Sequence, residues 1–136
     1  MTKQIWLNLP VKNVAKAKEF FWKLGFSFNE QHDTPSSTCM VIGEGHFVVM
    51  LFEESLFVGF SQNELTDTQS SSEILISIDA ESREEVNELG EKIKEAGGNL
   101  FSPPAESQGW MYGCAFADLD GHRWNILFMD FDKLPK

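Results

Sequence analysis

Few side chains in this sequence could take part in catalysis. Glu73 begins the alternating segment Glu73 to Asp79, and a carboxylate at the start of a strand could act as a general base. The same carboxylate could instead reach solvent or pair with Arg123. The sequence leaves both interpretations of Glu73 open.

Tyr112 and Cys114 offer a phenolic hydroxyl and a thiol as candidate ligand contacts. A nucleophilic cysteine needs an activating histidine or cation, and no such neighbour is evident in the sequence, so a small buried apolar role fits Cys114 better. Cys39 and Cys114 form no CxxC pair and are too few for a disulfide framework, which predicts reduced thiols.

The three histidines do not form a metal-binding pattern. His32 lies in a polar loop, His46 begins a strand after a turn, and His122 belongs to the sequence DLDGH, which is typical of a turn. We expect structural or surface roles for all three.

The secondary structure predicted for the first half of the chain begins with a strand and a helix. Gln4 to Pro10 alternates in character and predicts a strand. A helix over Val14 to Leu24 follows, with Asn13 as its N-cap and Gly25 as its end. Three further strands are expected over Phe26 to Asn29, Thr38 to Ile42 and His46 to Phe52. Glu53 to Phe60 is irregular or briefly helical.

The same order then repeats. After the strand Glu73 to Asp79, Ser82 and Glu85 form a capping box for a helix over Arg83 to Ala96, ended by Gly97 and Gly98. Three further strands are expected over Asn99 to Ser102, which Pro103 and Pro104 end, Trp110 to Ala117 and Arg123 to Met129. This duplication predicts one α+β domain, residues 1–136, made of two tandem βαβββ modules, 1–60 and 73–131, joined by a polar linker. We expect a partly open, curved eight-stranded sheet or barrel.

Alternation also assigns the faces of the strands. The helices should cover one face, which carries Ile5, Leu7, Leu9, Ile74, Ile76 and Ile78. The other face is left bare, and its mixture of aromatic, aliphatic and isolated polar groups suits a trough for a small organic molecule. The predicted ligand contacts are Trp6, Asn8, Met50, Phe52, Leu75, Tyr112, Cys114 and Asn125. A filled barrel with a dimer partner over it is the alternative.

Three stretches resemble the glyoxalase/bleomycin-resistance/extradiol dioxygenase superfamily, also called vicinal oxygen chelate proteins. They are NLPVKNVAKAKEFFWKLGFSF, SREEVNELGEKIKEAGG and MYGCAFADLDGHRWNILFMD. The sequence is similar to the branch of small proteins described as predicted lactoylglutathione lyases, and the similarity is weakest between Glu53 and Ser72. The fold of this superfamily hosts isomerases, epimerases, dioxygenases, thiol transferases and drug-binding proteins.

The resemblance implies where a metal would bind. Metal-dependent members place ligands on the first and last strands of each module, at positions that match Trp6, Met50, Glu73 and Asn125 here. Only Glu73 is a good ligand for a hard divalent ion. We therefore expect no catalytic metal and no cofactor, although a one-residue slip in the fourth strand could bring Glu53 inward.

Two classes of function follow. A protein that binds a small organic molecule without a metal agrees with the replaced ligand positions. A metal-dependent lyase, isomerase or dioxygenase is what the superfamily resemblance alone implies. The sequence does not decide whether the chain is an enzyme, and it favours binding slightly.

Charge narrows the range of partners. A formal charge of −10 opposes binding to nucleic acid or anionic membranes. We expect a cytoplasmic protein, because no membrane-spanning run or signal peptide is evident. Open sheet edges, exposed aromatic side chains and the common dimerisation of superfamily members predict a homodimer.

Overall fold

The computed structural model describes residues 1–134, and the chain divides into two compact units, Met1–Thr66 and Asp67 onward. Each unit contains one four-stranded mixed sheet with helices. The prediction of two tandem βαβββ modules in an α+β fold is therefore confirmed.

The first unit follows the predicted order. It contains β1 (Trp6–Val11), α1 (Val14–Lys23), β2 (Ser27–Thr34), β3 (Ser37–Ile42), β4 (Phe47–Glu53) and α2 (Glu54–Ser61). The strand order is β1-β4-β3-β2, with β1 parallel to β4 and the other pairs antiparallel. The segment predicted as irregular or briefly helical is the helix α2.

The second unit repeats this arrangement. It contains β5 (Leu75–Asp79), α3 (Arg83–Glu95), β6 (Asn99–Ser107), β7 (Met111–Ala117), β8 (Arg123–Met129) and a 3-10 turn (Phe131–Lys133). The strand order is β5-β8-β7-β6, with β5 parallel to β8. No helix within residues 1–134 has the length and apolarity needed to cross a bilayer.

The helix ends agree with the sequence signals. The side chain of Asn13 accepts a hydrogen bond of 3.0 Å from the backbone N–H of Lys16, and this bond satisfies one free N–H at the start of α1. Ser82 does the same for α3, accepting from Glu85 at 3.1 Å. Gly25 has φ of +98°, the left-handed conformation that commonly follows the last turn of a helix.

The helices α1 and α3 each cover one face of their own sheet. In the first unit, Phe20 and Phe21 of α1 are buried with Met40, Val49 and Leu51 of the sheet. In the second unit the buried side chains come from α3, β7 and β8. They are Val86, Ile93, Phe116, Trp124 and Ile126. Packing of these apolar faces is the main source of stability in each unit.

Two isoleucines expected beneath the helices are exposed instead. Ile5 retains 76% and Ile74 48% of its accessible surface. The reason is that β1 begins at Trp6 and β5 at Leu75, one residue after each isoleucine, so neither is held in a ladder under a helix. The prediction of their burial was wrong, whereas Leu9 is buried as expected.

The end predicted for the strand after Gly98 was also wrong, because β6 continues through both prolines to Ser107. β6 lies at the edge of its sheet, where a residue without an N–H is tolerated. Register shifts between Asn99 and Ser102 and between Ser102 and Ala105 accommodate the prolines.

Candidate functional site

One face of the first sheet is not covered by α1. Trp6, Asn8 and Pro10 of β1 lie opposite Val48, Met50 and Phe52 of β4 in an unbroken parallel register. These residues alternate with the buried Leu9, Val49 and Leu51, so their side chains are on the other face of the sheet. We call this the open face of the first unit.

A cleft of about 630 Å³ lies at this face, and we call it the Trp6 cleft. The lining residues are Lys3, Gln4, Ile5, Trp6, Gly45, His46, Phe47, Val48, Met50 and Phe52. Trp6 keeps 53% of its accessible surface although it lies within a sheet. An exposed indole beside aliphatic and thioether side chains forms an apolar surface that can pack against a ligand ring.

The helix α2 borders this face. The ring of Phe60 meets the ring of Phe52 edge to face, with centroids 5.3 Å apart and planes at 69°. Phe60 itself is 68% exposed. Phe52 is therefore both a wall of the Trp6 cleft and a contact of α2, which links the shape of the cleft to the position of this helix.

A second, smaller cleft of about 400 Å³ lies in the second unit, and we call it the Arg123 cleft. It is lined by Ser72, Glu73, Ile74, Leu75, Phe101, Arg123 and Asn125. The guanidinium of Arg123 lies 4.5 Å from the centre of the Phe101 ring, and the amide of Asn125 donates a 3.3 Å hydrogen bond to the hydroxyl of Ser77. The side chains that line this cleft include both signs of charge, Glu73 and Arg123.

Six predicted site residues line the two clefts. Trp6, Met50 and Phe52 line the Trp6 cleft, while Glu73, Leu75 and Asn125 line the Arg123 cleft. Asn8 lies on the same face as Met50, its partner in the ladder, but outside the lining of the cleft. Glu73 is exposed and lies before β5, and no ion pair joins it to Arg123 among the described side chains.

Tyr112 and Cys114 lie on the opposite face, so their assignment to the open face was wrong. The hydroxyl of Tyr112 donates a 2.6 Å hydrogen bond to Asn87 of α3. Cys114 lies opposite the buried Ile126, and burial raises the pKa of its thiol to about 11. These positions fit structural roles, including the alternative of a small buried apolar residue for Cys114.

The suggested slip that would bring Glu53 inward does not occur. β4 stays in register with both neighbouring strands up to its end, where Glu53 lies opposite Val11. Glu53 therefore shares the side of the buried Leu51 and directly precedes α2. It does not line the Trp6 cleft.

The sequence alone did not identify several lining residues. Ile5 was placed on the wrong face, and His46 was taken only as the start of a strand. In the structure His46 has φ of +53° in the turn before β4 and lines the cleft with Phe47. Glycines on both sides of Glu44 indicated this turn, but they carried no information on which residues it brings to the cleft.

The residues at the metal positions do not suit a divalent ion. The indole of Trp6 has no donor atom for a metal, Met50 has only a soft thioether, and Asn125 offers only a neutral amide oxygen. Glu73 alone supplies a carboxylate. Within residues 1–134, no three His, Cys, Asp or Glu side chains lie close enough together to hold a metal ion.

Comparison with known proteins identifies the superfamily whose fold this chain has. Residues 3–43 match the family described as bleomycin resistance protein-like N-terminal. A glyoxalase/bleomycin resistance protein/dioxygenase family enzyme from Burkholderia phytofirmans aligns with a TM-score of 0.78 at 16% identity, over 91% of this chain and 96% of that one. A fosfomycin resistance protein from Listeria monocytogenes aligns with a TM-score of 0.68 at 21% identity, over 98% of both chains. The chain thus has the fold of the glyoxalase/bleomycin resistance/dioxygenase superfamily.

A more similar structure defines the family. A hypothetical protein from S. aureus is 37% identical, with a TM-score of 0.85 over 94% of this chain and 95% of that one. The chain belongs to the same family as this S. aureus protein. A search of curated proteins gives no match. The narrower assignment to predicted lactoylglutathione lyases stays a prediction.

Proposed function

We propose that this protein binds a small organic molecule in the Trp6 cleft. The observation that carries the proposal is the half-exposed indole of Trp6 on an open sheet face, beside Val48 and Met50. A volume of about 630 Å³ is within the usual range for small-molecule sites, roughly 300–1,000 Å³.

The side chains of the cleft favour a ligand with a planar or apolar body. The indole of Trp6 provides a flat surface for stacking, and the rings of Phe47 and Phe52 add edges and faces at the walls. The thioether of Met50 can adjust its shape to an irregular ligand. With these side chains, the cleft would select its ligand by shape and by apolar contact.

We place binding ahead of catalysis because of the position of Glu73. A general base works best when it is held close to its substrate and water is excluded. Glu73 is exposed and precedes β5, so neither a strand ladder nor a helix fixes it. The ligand chemistry at Trp6 and Met50 likewise argues against the metal-dependent lyase or dioxygenase, the alternative that the superfamily resemblance implies.

The proposal includes a homodimer in the cytoplasm. Phe60 and Phe131 are 68% and 65% exposed, and contact with a second copy would remove apolar surface of this kind from water. Sedimentation equilibrium at micromolar concentration tests this assembly. A monomer mass across the concentration range would exclude the dimer.

The binding experiment compares two tryptophans of the first unit. A thermal-shift screen of planar aromatic and thiol-conjugated compounds is run on the wild-type protein, on Trp6→Ala and on Trp22→Ala. Trp22 is 68% exposed and lies on α1, away from the cleft lining, so its removal controls for loss of an exposed indole. We expect Trp6→Ala to weaken any hit by about tenfold or more, and Trp22→Ala to leave it unchanged. Equal effects of both substitutions would contradict the site.

A further inference from the structure

The charges at the Trp6 cleft differ from those of the whole chain. The protein has 21 acidic and 11 basic residues, yet among the described residues that line this cleft only Lys3 and His46 are ionisable. No acidic side chain contributes to the lining. An otherwise acidic protein therefore presents only basic ionisable groups among the described residues that line this cleft.

Lys3 is available to an external anion. In the part of the chain that the structure describes, the ammonium group of Lys3 forms no ion pair, whereas Lys18 and Lys23 are paired with carboxylates. Lys3 is exposed and precedes β1, which carries Trp6 as its first residue. A cation at the margin of an apolar surface attracts a ligand that combines a ring with a negative group.

His46 supplies a second polar group at the same cleft. Its backbone N–H donates a 3.1 Å hydrogen bond to the carbonyl of Gly43, which closes the turn before β4. An imidazole carries at least one N–H donor in either protonation state, so it can bond to an anionic oxygen. Lys3 and His46 thus approach the cleft from two separate segments of the first unit.

From this arrangement we infer that the ligand of the Trp6 cleft is an organic anion. Its ring or apolar body packs on Trp6, and its carboxylate, sulfonate or phosphate group is bound by Lys3 and His46. The inference rests on the proposed function and adds the chemical class of the ligand. The lining of the Arg123 cleft does not indicate the charge of a ligand in the same way, because it includes the acidic Glu73 as well as Arg123.

The test uses two dyes that share the same rings and differ by one sulfonate group. Anilinonaphthalene sulfonate is an anion, and phenylnaphthylamine has the same rings without the sulfonate. Both gain fluorescence in apolar sites, so one titration method measures both dissociation constants. The double substitution Lys3→Gln and His46→Asn removes the basic groups. Asn tolerates the left-handed backbone of residue 46, so the turn is kept.

We expect the double variant to weaken binding of the sulfonate dye by about three- to tenfold, as for partly exposed charge contacts, and to leave the neutral dye within about twofold. Added salt should weaken binding of the sulfonate dye to the wild-type protein, and it should not change binding of the neutral dye or binding to the double variant. Lys16→Gln is the matched control, because Lys16 is exposed on α1 and does not line the cleft. It should change neither constant.

The remaining outcomes separate the two proposals. If Trp6→Ala abolishes binding of both dyes while the double variant changes neither, the binding site stands and the anion preference is wrong. If the double variant weakens both dyes equally, its effect is on the fold, and the anion preference is likewise rejected. If Trp6→Ala changes the binding of neither dye, the proposed site itself is wrong.

Discussion

The indole N–H of Trp124 donates a 3.1 Å hydrogen bond to the carboxylate of Asp118, and both side chains are buried. The same carboxylate accepts the backbone N–H of Asp120 at 2.9 Å and of His122 at 3.0 Å. Burial raises the pKa of Asp118. The turn between β7 and β8 is thereby fixed to the core of the second unit through one acidic residue.

Replacing this acid should destabilise the protein. Asp118→Ala removes the acceptor of three hydrogen bonds at a buried site, and we expect the free energy of unfolding to fall by about 2–4 kcal/mol. Urea denaturation followed by circular dichroism measures the loss. Asp79→Asn, an exposed position of the same unit, should change stability by less than about 0.5 kcal/mol. Equal stability of both variants would contradict the role of Asp118.

Replacement of two glycines by alanine should change the free energy of unfolding in opposite directions. A Cβ at Gly113 would lie 2.5 Å from the carbonyl oxygen of Ile126 and 2.6 Å from the side chain of Leu127, so β7 and β8 must move apart. We expect Gly113→Ala to cost about 1–3 kcal/mol. At Gly59, inside α2, nothing lies within 4 Å of such a Cβ, and alanine should stabilise by up to about 1 kcal/mol. Parallel urea titrations compare the two.

Local signals explain why the helices could be predicted. Asn13 and Ser82 form caps with atoms only three residues away, so no distant contact is needed to find them. The faces of β7 could not be predicted in the same way. Its sequence, MYGCAFA, lacks an alternation of polar and apolar residues, and Cys114, Ala115 and Phe116 are all buried. Only the pairing of Cys114 with Ile126 shows which face the thiol occupies.

Only some of the residues that line the clefts could be predicted from the sequence. Trp6 and Met50 lie within regular strands, where position along the chain fixes the face. Lys3, Ile5 and His46 lie in the segments just before β1 and β4, where no such rule applies. Phe101 lines the Arg123 cleft from β6, whose register shifts between Asn99 and Ser102, and the sequence did not reveal this shift.

Acid should weaken the first unit through Asp33. Burial raises the pKa of this carboxyl, but hydrogen bonds from Lys18 at 2.6 Å and Thr38 at 2.9 Å, with the charge of Lys18, lower it below its usual 3.8. A lowered pKa means that the stabilisation is complete above about pH 4 and is lost as the pH falls through the folded-state value. Stability of Asp33→Asn should depend less on pH across this range.

Urea titrations at a series of pH values between about 2 and 6 measure that difference, since this range spans the usual pKa of a carboxyl. Glu44→Gln is the control, because Glu44 is exposed in the turn before β4. The pKa of Lys18 is raised, chiefly by its hydrogen bond to Asp33, so its own contribution is lost only as the pH rises above 10.5. A wild-type profile no steeper than that of Asp33→Asn would contradict the ion pair.

The two thiols should differ in reactivity. Burial raises the pKa of Cys114 to about 11, so at about pH 8 roughly one thiol in a thousand is ionised there. Cys39 is only partly buried. We expect a chromogenic disulfide reagent to modify Cys39 in the folded protein and Cys114 only after unfolding in urea. Fast reaction of two thiols in the native state would show that Cys114 is accessible, contrary to its place beneath α3.

The final prediction concerns metal. A catalytic divalent ion usually has about three nitrogen, oxygen or sulfur ligands from the protein. Trp6 offers none, Met50 only a soft sulfur, and the exposed Glu73 would bind an ion weakly by itself. We expect protein purified without chelator to carry no stoichiometric zinc, nickel, iron or manganese, and calorimetric titration with Mn²⁺ to show no site tighter than about 0.1 mM.

Mass-spectrometric elemental analysis of the wild type and of Glu73→Ala, with the exposed Glu44→Gln as the control, measures the metal content directly. About one equivalent of a single metal, lost in Glu73→Ala but kept in Glu44→Gln, would overturn metal-free binding and favour the metal-dependent lyase or dioxygenase.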